Sequence, residues 1–235
     1  MIARLREAPP KLRLVLFAFG DFAFNLYWQS IMLYLLFYYT EALNLPVATA
    51  AAIYTVASIW DGLANFVAGA IVDRREPGRG YGRVLMLGSL PLGIACVLTY
   101  LPPVTSGALG IACVVIGHLL FRAAYAAVNV PYLAMSARIS VHSRDRAFVA
   151  GMRMLFGTMA WVVVARGTVP IGAWLSGSAV PANAYLGAAI GFALVATAIL
   201  LLVGAAYREE VAPSRAPPPT IAASLKSLFG NRAFM

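Results

Sequence analysis

Charge is what this chain has least of. Of 235 residues only 11% are Asp, Glu, Lys or Arg, against about 25% in soluble domains. With 61% of the residues hydrophobic and a mean hydropathy of +0.80, the composition excludes a water-facing globule and describes a polytopic membrane protein. Histidine and cysteine are nearly absent, two of each. Cys96 and Cys113 stand in apolar runs without ligand-like spacing, which excludes a zinc or disulfide framework; both read as buried free thiols.

The net charge of +9 comes from 18 Lys and Arg, and their placement excludes a nucleic-acid patch. Six apolar runs, each near the roughly 20 residues a helix needs to cross hydrocarbon, cover about 14–39, 47–72, 84–101, 108–135, 148–170 and 184–207. Basic residues fall before the first run, after the second, fourth and sixth, and not in the alternate loops. By the positive-inside rule both termini are expected in the cytoplasm of a plasma (inner) membrane protein. No cleavable signal is evident, because the first run is too long and more spans follow. Glycines inside the spans (Gly62, Gly69, Gly88, Gly93, Gly151, Gly157, Gly187, Gly191) suit close helix packing in lipid.

Charged and amide residues inside the spans are the candidate site. An ionised side chain at mid-bilayer costs about 2.5–3.5 kcal/mol on insertion scales, so each needs a partner, water or a function. Asp21 and Asn25 lie four apart in the first span, and Trp28 and Gln29 continue that face. In the second, Asp61 and Asn65 are four apart. The fourth carries His118, Arg122, Tyr125 and Asn129 as one polar stripe, and the fifth carries Arg153 and Trp161. Asp61, Arg122 and Asn25 fall near mid-depth. Asp61 can pair with Arg122, line a cation or sugar site, or do both. His118 reads as a packed polar residue rather than a proton relay. Arg166 reads as snorkelling to the outer interface.

The hairpin GAIVDRREPGRGYGR brings Asp73, Arg74, Arg79, Gly82 and Arg83 to the basic end of the second and third spans. Carboxylate and guanidinium groups at opposed helix ends can lock one conformation of a helix pair. In its order of residues this segment resembles the loop motif of the major facilitator superfamily. GDFAFNLYWQSIMLYLLFYYTEALNL, VASIWDGLANFVAGAIVDR, NVPYLAMSARIS and SLKSLFGNRAFM resemble, in order, segments of the glycoside–pentoside–hexuronide cation symporters, the melibiose-carrier group.

That resemblance implies an all-α fold, the N-terminal six-helix half of a major facilitator built of two inverted three-helix repeats. The bundle is expected over 1–207, with 208–235 as a cytoplasmic linker and the start of a seventh-helix region. It implies Asn25, Asn129 and Arg153 as substrate-binding residues, to which the reading of the spans adds Trp28 as a ring able to stack on a sugar. It implies Asp61 and Asn65 as positions of the cation site, and the charges Arg122 and Asp21, read from their place in the spans, complete the cation or counter-ion set. It departs from the family pattern where Asn65 replaces a second carboxylate, Ser58 an arginine, Phe66 a proline and Leu133 a tryptophan. Arg122 then becomes a replacement counter-ion for Asp61. The expected function is a secondary transporter half for a sugar or glycoside, not an enzyme. No cofactor is expected beyond Na⁺ or H⁺ as the coupling ion if transport is coupled. Partners are the lipid bilayer, the sugar, and a separate C-terminal half or a second copy, with no nucleic acid. The alternative is a non-transporting remnant or regulatory membrane protein derived from such a carrier.

Overall fold

The computed structural model describes residues 10–74, 80–178 and 180–208, and all regular structure among them is helical. The elements are α1 (Pro10–Ala18), α2 (Gly20–Phe37), a π-helical turn (Tyr38–Ala42), α3 (Val47–Asp73), α4 (Tyr81–Thr99), α5 (Gly107–Ala137), α6 (Ser143–Ser176) and α7 (Pro181–Ala206). Helices are the physical requirement here, because hydrocarbon offers no partner to a backbone N–H or C=O left open. Arg79, Arg4 and Arg6, and the expected seventh-helix segment beyond Arg208, lie outside the described residues.

Five of these helices, α3 to α7, are long and apolar enough to cross a membrane. The first expected span differs. It is drawn as α1, α2 and the π turn, and Asp21, Asn25 and Gln29 dilute its hydropathy. Helical hydrogen bonding still runs through its joint, from the Phe19 amide to the Val15 carbonyl at 2.9 Å. The helices also overrun the hydrophobic runs: the fifth run, 148–170, sits inside α6, which extends to Ser143 and Ser176.

The core lies between α2, α4, α5, α6 and α7. At the end that carries Glu41, Tyr38 packs edge-on against Tyr100 and Tyr185, with centroids at 5.2 and 5.9 Å. Tyr100 donates to the Ser30 carbonyl at 2.7 Å. At the opposite, basic end Tyr132 stacks on Phe17 at 4.8 Å and donates to its carbonyl at 2.8 Å, tying α5 to α1. The outward faces of α3 and α6 remain apolar and exposed, as with Ile59, Phe66, Met154 and Trp174.

Two expectations are corrected. Cys96 is buried, but Cys113 is exposed on α5, because its side chain falls on the outward face of an otherwise apolar helix. Among the glycines, Gly62, Gly69 and Gly151 face open space, while Gly88, Gly93, Gly157, Gly187 and Gly191 stand against neighbouring helices. The tightest approach joins α6 to α7: a Cβ on Gly172 would collide with the Ala184 carbonyl, and one on Gly187 would lie 2.6 Å from the Gly172 carbonyl oxygen.

This contrast sets a test. Gly172→Val must force the two backbones apart and is expected to cost about 3 kcal/mol or more, as overpacking does. Gly62→Ala meets nothing and is expected to hold or gain stability, by up to about 1 kcal/mol from helix propensity. Thermal melts of the purified variants in detergent check both.

Candidate functional site

The intramembrane polar residues gather into two clusters. The first joins α2 to α6. Arg153 Nε donates to Asp21 Oδ2 at 2.6 Å and its Nη2 to Asp21 Oδ1 at 3.3 Å, a two-pronged ion pair. The guanidinium also lies over the Tyr132 ring, 5.3 Å from the centroid. One helical turn along α2, the Asn25 amide donates to the Asp21 carbonyl oxygen at 2.9 Å, and Gln29 donates to Asn25 Oδ1 at 3.3 Å. Gly157 makes room for this row, since a Cβ there would sit 3.1 Å from Asn25 Nδ2. Asp21, Asn25, Gln29, Arg153, Thr158 and Trp161 are among the residues lining an open cleft of about 720 Å³.

The second cluster joins α3 to α5. Arg122, 3% exposed, reaches toward Asp61, with Nη1 3.7 Å from Oδ1. Trp28 and Tyr54 present ring faces to the same guanidinium at 4.8 and 5.7 Å. Arg122 Nε donates to His118 Nε2 at 3.2 Å. His118 Nδ1 lies 3.2 Å from the Tyr39 hydroxyl. An imidazole whose Nε2 accepts from a guanidinium carries its proton on Nδ1 and is neutral, so His118 is a positioning group for Arg122. Asp61 Oδ1 is buried and makes no hydrogen bond among the described residues. Asn65 turns its amide back to the Asp61 carbonyl oxygen at 2.8 Å.

The structure therefore sorts the expected site residues differently from their order in sequence. Asp21 stands with Arg153, not with Asp61, and Trp28 stands over Arg122, not in the cleft of Asn25 and Arg153. Of the stripe on α5, His118 and Arg122 are joined. Tyr125 packs its ring on Trp28, and Asn129 is half-buried outside both clusters. Gln29 gained a place that sequence had marked only by spacing. Thr158, five residues from Arg153, had no signal in the sequence.

In the hairpin, Asp73, Arg74 and Arg83 are exposed, and among the described residues Asp73 pairs with neither arginine. Gly82 has a packing reason of its own: it meets Gly204, whose added Cβ would lie 2.6 Å from the Gly82 carbonyl oxygen. Among the described residues no cluster of three His, Cys, Asp or Glu could hold a metal ion.

Apolar membrane-crossing helices that keep two arginine–carboxylate pairs inside the bundle, one beside an open polar cleft, define an integral membrane protein of the transport class. The family described as MFS/sugar transport protein matches residues 16–235, and the chain belongs to that family, within its glycoside–pentoside–hexuronide symporter group. YagG of Escherichia coli (strain K12), named as a candidate glycoside/cation symporter, is 28% identical over 218 residues, 92% of this chain and 47% of its own. YnaJ of Bacillus subtilis (strain 168), an uncharacterised symporter, is 32% identical over 161 residues, covering 68% of this chain and 35% of its own. The isoprimeverose transporter of Lactiplantibacillus pentosus is 25% identical over 219 residues, 92% of this chain and 46% of its own. The chain thus spans half or less of the length of these relatives. The family consists of carriers, not enzymes.

Each ion pair leaves an uncompensated charge when one member is removed. Arg122→Gln or Asp61→Asn alone is expected to destabilise by about 3 kcal/mol, and the double variant by less than the sum. A double-mutant cycle on melting temperatures reads this directly. Strict additivity would mean the pair is not coupled.

Proposed function

We propose that the chain forms one transport half of a secondary carrier for a sugar or glycoside, with the Asp21–Arg153 cleft as its substrate face. The cleft carries the proposal. A carboxylate, a guanidinium and two amides in one row can accept from and donate to neighbouring hydroxyls, and Trp161, 46% exposed at the rim, offers a ring face to the apolar side of a pyranose. The names of YagG and the isoprimeverose transporter point to the same substrate class. Asn25 and Arg153 also stand at positions that the resemblance to the melibiose group implies for sugar contact.

The helical run Pro10–Ala42 counts as a sixth span in this reading, and the six form two inverted three-helix repeats. Packing supports it: exchanging spans one to three with four to six maps the α2–α6 contact onto the α5–α3 contact. The Asp21–Arg153 pair then maps onto Arg122–Asp61 with the signs exchanged. The basic end faces the cytoplasm, and there Asp73, Arg74, Arg79, Gly82 and Arg83 govern the switch between states. A second body of helices, within the same polypeptide, in a separate one or in a second copy, closes the cleft so that it opens to alternate sides.

Arg122 serves as the built-in counter-ion of Asp61, in the position a coupling Na⁺ or H⁺ would otherwise neutralise. Asn65, an amide with its donor turned to the backbone, adds no charge there.

Binding of radiolabelled glycosides to the purified protein in lipid nanodiscs tests the site. Arg153→Lys, which loses the planar fork, and Trp161→Ala, which leaves the ion pair intact, are each expected to weaken binding about tenfold. Unchanged affinity in both variants removes the cleft from consideration. Affinity in the parent is expected to be insensitive to exchanging Na⁺ for K⁺, and Arg122→Gln to make it cation-sensitive by freeing Asp61.

A further inference from the structure

A second concavity lies on the other side of the bundle and is wholly different in chemistry. On α3, Leu63, Val67 and Ile71 recur every four residues and stand 53, 47 and 56% exposed. Facing them on α5, Ala123, Ala127 and Pro131 repeat at the same spacing, and Val84 of α4 completes the wall. Large side chains on one helix and small ones on the other leave an apolar groove of about 400 Å³. Its inner end is stopped at mid-membrane by Trp60, whose indole N–H donates across to the Leu119 carbonyl at 3.0 Å. Its other end opens beside Val72 and Val84, next to the exposed Arg74 and Arg83.

The dimensions decide what fits. From Trp60 to Val72 a helix rises roughly 18 Å at 1.5 Å per residue. One leaflet of a hydrocarbon core about 30 Å thick is about 15 Å deep, so the groove spans a single leaflet. An apolar groove one leaflet deep is matched in length and chemistry by an acyl chain of that leaflet. Among the described residues at the groove's mouth, the guanidiniums of Arg74 and Arg83 outnumber the one carboxylate, Asp73, so the local charge favours an anion.

We propose that this groove is a binding site for an anionic phospholipid of the leaflet at the basic end, with one acyl chain along α3 and α5 up to Trp60 and the phosphate drawn by Arg74 and Arg83. The lipid would then lie along the half of α3 that leads into the hairpin. This site is independent of the sugar cleft, and its test does not involve sugar.

Trp60 is a reporter already in position. With Trp28→Phe, Trp161→Phe and Trp174→Phe it becomes the single tryptophan, and lipids brominated on the acyl chain quench it on contact. In phosphatidylcholine bilayers, brominated phosphatidylglycerol is expected to quench Trp60 at lower mole fraction than brominated phosphatidylcholine, by about fivefold for each guanidinium, the equivalent of about 1 kcal/mol per charge. Arg74→Gln with Arg83→Gln is expected to erase that preference while quenching persists. Ala127→Phe, which fills the groove, is expected to suppress quenching by both lipids. Equal quenching of the parent by the two lipids would overturn the headgroup site. No quenching by either would show the groove covered by protein, and would overturn the lipid altogether.

Discussion

A guanidinium cannot stand alone inside hydrocarbon, and the architecture follows from how two of them are neutralised. Arg122 and Arg153 each find a carboxylate on a different helix, so each pair fixes a helix–helix contact as well as a charge. At a cost of about 2.5–3.5 kcal/mol for each unpaired charge at mid-depth, neither helix could be moved away freely. The bundle is tied by polar contacts where its apolar surfaces, equally content in lipid, would not choose a partner.

The two pairs are built to different ends. Arg153 grips Asp21 with two hydrogen bonds, one short at 2.6 Å and one at 3.3 Å, yet both remain partly exposed in an open cleft, where added hydroxyls can share them. Arg122 is enclosed: Trp28 and Tyr54 cover its faces, His118 Nε2 accepts a hydrogen bond from its Nε–H, and Asp61 stands off at 3.7 Å. In the proposed reading, the first pair meets substrate and the second holds α3 to α5.

The outer surfaces divide by the same logic. The cleft between α2 and α6 is lined by charged and amide groups, while the groove between α3 and α5 is lined by apolar side chains. The difference comes from residue size and type at four-residue spacing. Asn25 and Gln29 follow Asp21 on one helix, whereas Ala127 and Pro131 follow Ala123 on another.

Sequence alone determined that the chain is helical, membrane-embedded and of the sugar-carrier family, because composition, span length and motif order are local properties of the chain. It also put Asp21 with Asn25 and Asp61 with Asn65, since four-residue spacing reports a shared helix face, and it offered Arg122 as a counter-ion for Asp61. Only the tertiary structure decided which face meets which. It moved Asp21 to Arg153 and Trp28 to Arg122, turned Cys113 outward, and gave Gly172 and Gly204 the contacts that Gly62 lacks. The physical reason is that in a uniformly apolar helix the hydrophobic pattern carries almost no record of rotation, so partners across helices are set by packing and by charge pairing, which no single span contains.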